Sequence, residues 1–291
     1  MAHQSSLLII GCGDVGLRVV RTLGARLRVL ALTSSPARCE ALRAAGVRPL
    51  VGDLDDPATL GRLAGLAGAV LYLAPPPATG HTDPRLRAVL AALSRRTLPS
   101  RVVYASTTGV YGDCQGQWVT ETRAFNATTD RALRRVDAES QLRAWGRATG
   151  VPVTALRIPG IYASDREGGD PRQRVRRGTP VLAAEDDGYT NHIHADDLAR
   201  ACIAALWRGR PQRAIQVCDD SDMKTGDYYD LVADLSGLAR PARVTRAQAG
   251  EHFSAAQWSF LNESRRLSNE RMKRELRLRL TRPTIREGLA G

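Results

Sequence analysis

Apolar residues recur along this chain in short blocks that alternate with stretches of helical spacing. Leu7-Leu8-Ile9-Ile10 is a buried-strand run, and Leu17, Val20, Leu23 and Leu27 then repeat every three to four residues. Val29–Leu32 is a second apolar run, completing a βαβ unit of the length a parallel crossover requires. The same alternation predicts a helix over Ala37–Ala45 closed by Gly46, a strand over Val47–Val51, and a helix over Pro57–Leu66. A strand over Gly68–Leu73 follows, stopped by Pro75-Pro76-Pro77, and then a helix over Asp83–Leu93 opened by Asp-Pro. Strands over Arg101–Ala105 and Val153–Ile158 flank a long helix over Asp130–Thr149.

Repeated strand-then-helix order implies an α/β fold of Rossmann type: a doubly wound parallel sheet with helices on both faces and a small C-terminal substrate lobe. After Gly160 the alternation weakens, and residues 164–190 are rich in Gly, Arg and Asp. The expected division is a dinucleotide-binding domain over 1–160 and a mixed region over 161–291. Within the latter, an insertion (161–190) and a lobe (220–291) form the substrate side, while 191–218 returns to the Rossmann core. His194–Trp207, Asp227–Leu235 and Ser268–Leu276 read as helices, and Ile215–Val217 as a strand of either the main sheet or the lobe.

Between the first strand and helix stands Gly11-Cys12-Gly13-Asp14-Val15-Gly16. The first glycine permits a tight turn, the second lets backbone approach a pyrophosphate, and the third lets helix pack on strand. The helix N-terminus then offers free N–H groups to phosphate. The second strand ends in Thr33-Ser34-Ser35, followed by Arg38, with no carboxylate before Glu40. Hydroxyls and a guanidinium suit a 2′-phosphate better than a bare ribose, so NADP is favoured over NAD. Ala74, Pro75 and Pro76 are placed to shape the loop near the nicotinamide.

Composition narrows the picture further. No apolar run approaches the length of a membrane span, so no membrane partner is expected, and the N-terminal run is too short for a signal peptide; the expected compartment is the cytoplasm. Five cysteines without CxxC spacing point to neither a metal site nor a disulfide framework. The net charge is +12, and residues 240–291 carry twelve basic and five acidic groups, hence +7 of it. Without interleaved aromatics or a recognisable motif, a solvated basic face or a lure for an anionic small molecule outweighs a nucleic-acid partner.

Tyr104-Ala105-Ser106-Thr107-Thr108-Gly109-Val110-Tyr111-Gly112 resembles the strand-end motif of extended short-chain dehydrogenases/reductases, the NAD-dependent epimerase/dehydratase family. Gly52-Asp53-Leu54 is similar to the family's adenine-contacting segment, and Leu156-Arg157-Ile158-Pro159-Gly160-Ile161-Tyr162 to the segment flanking nicotinamide and substrate. Asn191–Leu198 resembles its later HVDDLA stretch. The resemblance implies a small-molecule substrate, hydroxylated or nucleotide-sugar-like, and a Ser/Thr–Tyr–Lys group. Asp53, Leu54, Ser106 and Pro159 then join the cofactor residues, and an oligomer is compatible.

Thr107 fills the hydroxyl position, but no tyrosine in the chain has a lysine four residues later. Counting back from Glu139, the Tyr-x-x-x-Lys positions hold Arg131 and Arg135. Arginine stays protonated and does no proton transfer near neutral pH. Arg135 could still bind the nicotinamide ribose. The candidate proton donors are Tyr111, Glu121 and His192, in that order, so Thr107, Tyr111 and Arg135 form the expected catalytic group. An oxidoreductase or epimerase, and a non-catalytic dinucleotide-binding redox sensor, both remain open. His194 with Asp196 and Asp197 reads as helix capping and packing, and Arg172, Arg174, Arg176 and Arg177 as a charge run able to meet phosphate.

Overall fold

The structure is a computed structural model, and residues 6–66 and 68–290 are described in it. Residues 1–5 and 291, the outer ends of the two expected domains, lie outside the described residues, as does residue 67.

Seven parallel strands make the central sheet: β1 (Ser6–Ile10), β2 (Arg28–Thr33), β3 (Arg48–Val51), β4 (Ala69–Tyr72), β5 (Arg101–Thr107), β6 (Val153–Ile158) and β7 (Arg213–Gln216). Their spatial order is β7-β6-β5-β4-β1-β2-β3, so the direction of winding reverses between β1 and β4. At such a switch point the carboxyl ends of the strands open a crevice for ligand. Ile215 therefore lies in the main sheet, opposite Leu156.

The sheet is buried on both faces, which explains why its strands read as continuous apolar runs. Leu7 and Ile9 of β1 face one core with Val19, Val20 and Leu23 of α1 (Asp14–Leu23). Leu8 and Ile10 face the other with Leu86, Val89 and Leu93 of α3 (Pro84–Leu93) and Leu142 of α4 (Asp130–Thr149). α2 (Cys39–Ala44) packs beside β3, and α5 (Ala195–Arg208) lies on the same face as α1.

Three expected helices are altered. Pro57–Leu63 is a 3-10 helix started by the Asp56 carboxylate, which accepts from Ala58 N. The helix expected over Ala37–Ala45 begins at Cys39, because Pro36–Arg38 forms a 3-10 turn. The segment expected as one helix over 268–276 begins at Glu270; just before it, Arg266–Leu267 pairs as a strand with Trp118–Val119.

One polar network runs through the core. Arg157 of β6 and Glu139 of α4 are both buried and form a two-point fork of 3.0 and 2.9 Å. Glu139 also accepts from Ser106 Oγ at 2.6 Å and Arg143 at 2.8 Å. Arg157 Nη1 donates to the Tyr111 hydroxyl (2.7 Å) and the Glu121 carbonyl (3.1 Å). Burial works against the Arg157 charge, but the Glu139 carboxylate more than reverses this and raises its pKa. Removing one partner strands the other charge in the core. Glu139→Gln is expected to cost about 3–5 kcal/mol, read as a lower urea midpoint, whereas the double change with Arg157→Leu regains part of the loss.

Candidate functional site

The glycine turn between β1 and α1 has the geometry of a phosphate cradle. Gly11 has φ +87°, and a Cβ there would meet Ala74 N at 2.5 Å, so the β1 and β4 ends approach as closely as backbone allows. A Cβ on Gly13 would meet nothing within 4 Å: that face of the loop is open. A Cβ on Gly16 would press on Cys12 Sγ (3.2 Å) and Ile9 Cγ2 (3.4 Å), where helix meets strand. The pattern fits a pyrophosphate lying against Gly13 at the start of a ten-residue helix.

The neighbours bear this arrangement. Arg38 Nη2 donates to the Cys12 carbonyl at 2.8 Å, which lays the guanidinium beside the loop and the end of β2. Thr33 Oγ1 accepts from Ser35 N and fixes the turn, while Ser34 is exposed. Cys12 is buried, and burial pushes its thiol up to about 11 against the pull of Arg38, so it offers backbone rather than thiolate. The Asp14 carboxylate is taken by Arg18 (3.1 Å) and Arg166 (2.7 Å), and Arg18 also holds Asp165 and Asp196. These ion pairs strap the 163–169 segment onto the first turns of α1, with Val15 half-buried between them in sequence. Asp53 is exposed and accepts from Asp55 N, and Leu54 packs partly into the core. Arg85 links the loops on either side: it forks onto Asp55 and donates to the Pro75 carbonyl at 3.2 Å. Pro76 is half-buried there and Ala74 buried. Nothing in the spacing of the sequence pointed to Arg85.

Beyond the ends of β5 and β6 lies a cavity of about 310 Å³. Thr107 lines it from the end of β5 and Gly109 from the turn that follows, Pro159 from just past β6, and Gly160 and His192 from the strand pair Gly160–Tyr162 and His192–His194. Arg131 enters from α4, and Phe260, Glu263 and Arg265 from the C-terminal region. Strand pleat explains the division at the motif: Thr107 is half-buried at the cavity, whereas Ser106 turns into the core onto Glu139. The Ser106 hydroxyl is therefore committed to the network and not free for a cofactor.

Other expectations need correction. Tyr111 does not reach the cavity: the 3-10 turn Thr108–Tyr111 folds it inward, it is 0% exposed, and its hydroxyl accepts from Arg157 and Gln216. Glu121 is likewise interior, accepting from Gln216 N and lying 3.4 Å from Arg271. Of the three proposed proton donors His192 alone lines the cavity, stacked on Tyr228 at 3.9 Å; burial drives its pKa down to about 3, so it is a neutral imidazole at pH 7. Arg135 donates to Tyr104 Oη and the Ala105 carbonyl, both at 2.8 Å, and so braces the end of β5. His194 accepts from Asp196 N and caps α5.

The model of the NAD dependent epimerase/dehydratase family matches residues 7–218. The chain belongs to that family. It is 27% identical over 252 residues to Protein YeeZ of Escherichia coli K12, covering 82% of this chain and 86% of that one. A functionally unknown conserved protein from Silicibacter pomeroyi superposes with TM-score 0.81 at 30% identity, covering 98% and 96% of the two chains. UDP-glucuronic acid 4-epimerase from Bacillus cereus, solved with UDP-glucuronic acid and NAD, gives TM-score 0.76 at 15% identity over 97% and 96%. Within this family of NAD(P)-binding folds, residues 219–291 extend past the family match and supply Glu263 and Arg265 to the cavity.

Two of the three glycines, Gly13 and Gly11, separate experimentally. Gly13→Ala should leave the urea midpoint almost unchanged, since its Cβ enters open space, yet weaken dinucleotide binding about tenfold or more in calorimetry. Gly11→Ala should lower stability itself, because both its φ and the Ala74 backbone oppose a side chain.

Proposed function

We propose that this protein is an NAD(P)-dependent oxidoreductase or epimerase that acts on a small hydroxylated substrate and favours NADP. The observation that carries the reading is one shared cavity. It brings together Thr107 at the β5 terminus and a carboxylate, Glu263, and it lies at the carboxyl end of the parallel sheet, the end that also carries the glycine turn. The nucleotide-sugar ligand and NAD held by the Bacillus cereus neighbour support the cofactor and the substrate class by likeness of fold.

The cofactor residues in this reading are Gly11, Gly13 and Gly16 for the pyrophosphate, Arg38 with Thr33 and Ser34 for the adenosine ribose, and Asp53 with Leu54 for the adenine. Ala74, Pro75, Pro76 and Pro159 bound the nicotinamide end, and Arg135 braces the strand beneath the second ribose. Bound nicotinamide supplies hydride exchange with a carbinol carbon. Thr107 Oγ1 orients the substrate oxygen; it accepts from Gly109 N at 3.2 Å. Glu263 takes the hydroxyl proton. Arg265 fixes one of its oxygens at 2.9 Å, and the other, Oε1, is buried without a hydrogen-bond partner among the described residues. A buried acceptor left unmatched is the kind of group that a substrate proton satisfies.

A second reading is a non-catalytic dinucleotide-binding protein that reports redox state. What favours it is that arginines occupy the helix positions of the family's tyrosine and lysine, and Tyr111 is sealed in the core.

NADPH fluorescence with a panel of sugars, ketones and aldehydes separates the two. The enzyme reading expects oxidation of NADPH with at least one carbonyl substrate, and Glu263→Gln should lower that turnover about 10²-fold with NADPH affinity retained. Binding without turnover across the panel leaves the sensor. Arg38→Ala should weaken NADPH about tenfold while NADH changes little; equal losses for both would remove the NADP preference.

A further inference from the structure

Arg131 stands where the family's proton-transferring tyrosine would stand, and its surroundings give it a different task. Three arginines line the cavity, Arg131, Arg174 and Arg265, against one carboxylate, Glu263, which is already paired with Arg265. Among the described residues, neither Arg131 nor Arg174 has a carboxylate within 4.0 Å. This sets them apart from most arginines that the core buries here: Arg18 has three acidic partners and Arg157 has Glu139.

Aromatic rings hold the two unpaired cations instead. The Arg131 guanidinium lies 3.7 Å over the Phe260 ring, and Arg174 lies 4.8 Å from the Tyr229 ring centre. Stacking fixes the plane of a guanidinium through its face and leaves its N–H edge free. Arg131 spends part of that edge on Ser259, with Nη1 donating to Oγ at 2.6 Å and Nη2 to the carbonyl at 3.3 Å. Arg174 donates to the Pro180 carbonyl, and its Nε is buried without a partner. Burial of Arg131 also pulls its pKa down, more than the more distant Glu263 carboxylate holds it up. Thr107, Thr190 and Thr225 line the same cavity.

The geometry points to an oxyanion site: the cavity takes a hydroxylated molecule bearing a carboxylate or phosphate, with that group bound by Arg131 beside Thr107 and steadied by Arg174. Arg131 is thus a specificity-determining residue that places negative charge at the reacting end of the ligand. The inference rests on the reading of this cavity as the substrate site, but not on which dinucleotide fills the cleft. Planar guanidiniums held in place are matched to planar or tetrahedral oxyanions, and two such charges reward an anion that a neutral polyol cannot imitate.

Isothermal titration of the full chain, with and without NADPH, tests it using inorganic phosphate, malonate and mannitol as probes. Phosphate or malonate should bind and mannitol should not, and the tighter of the two anions identifies the group. Arg131→Gln and Arg174→Gln should each weaken the anion at least tenfold, Arg131→Lys should recover part of the loss, and the exposed Arg26→Gln should change nothing. NADPH affinity should be the same in all variants. Anion binding untouched by both glutamine variants, equal binding of mannitol, or no anion binding by a chain that binds NADPH would each overturn the site. Failure to bind NADPH, with anion binding intact and sensitive to Arg131, would instead remove the dinucleotide reading and leave the oxyanion site standing.

Discussion

The buried fork between Arg157 and Glu139 is the constraint on which the working end of this fold depends. Two opposite charges in a core are tolerable only when they are paired and hydrogen-bonded, and here the partners come from five places. Ser106 belongs to β5, Arg157 to β6 and Glu139 to α4; Tyr111 closes the turn after β5, and Gln216 ends β7. None of these groups can shift without leaving another unsatisfied. The network therefore sets the mutual register of the strands whose ends build the cavity.

Its grip extends outward by the simplest periodicities of the chain. Strand residues alternate faces, so anchoring Ser106 inward obliges Thr107 to face the cavity. Helix residues four apart share a face, so anchoring Glu139 sets Arg135 and Arg131 in line above it. Along that stripe of α4 the environment passes from core carboxylate, to a guanidinium bracing the Ala105 carbonyl, to a guanidinium in the cavity. A polar core and a polar site are thus two ends of one helical face.

These periodicities also explain what the sequence made legible. The parallel sheet, the glycine turn and the place of Thr107 follow from spacings of two to four residues and from one strand–turn–helix pattern. Tyr111 was misjudged because its partner Arg157 is 46 positions away and the turn that folds it inward is short. The 3-10 helix at Pro57–Leu63 escaped because Gly61 weakens a pattern whose apolar spacing alone looks α-helical. Glu263, Arg265 and Arg85 carried no local signal at all: Arg265 and Arg85 are defined by contacts with distant loops, and Glu263 by the cavity it lines. Arg174 was visible only as one of four arginines; its ring partner Tyr229, from another element, singles it out.

The high positive charge takes on a different meaning once its partners are known. Much of the basic C-terminal region is spent on stitching that region to the rest: Arg271 to Glu121, Arg243 to Asp230 and Lys273 to Asp220. Charge used in this way is neutralised where it stands and projects little field. Uncompensated guanidinium in a recessed cavity is the opposite case, since water screens it less and any anion entering gains more. An arginine at position 131 stays protonated and does no proton transfer near neutral pH, so what it can offer a ligand is positive charge. The one carboxylate lining the cavity, Glu263, comes from the region beyond residue 218, outside the family match.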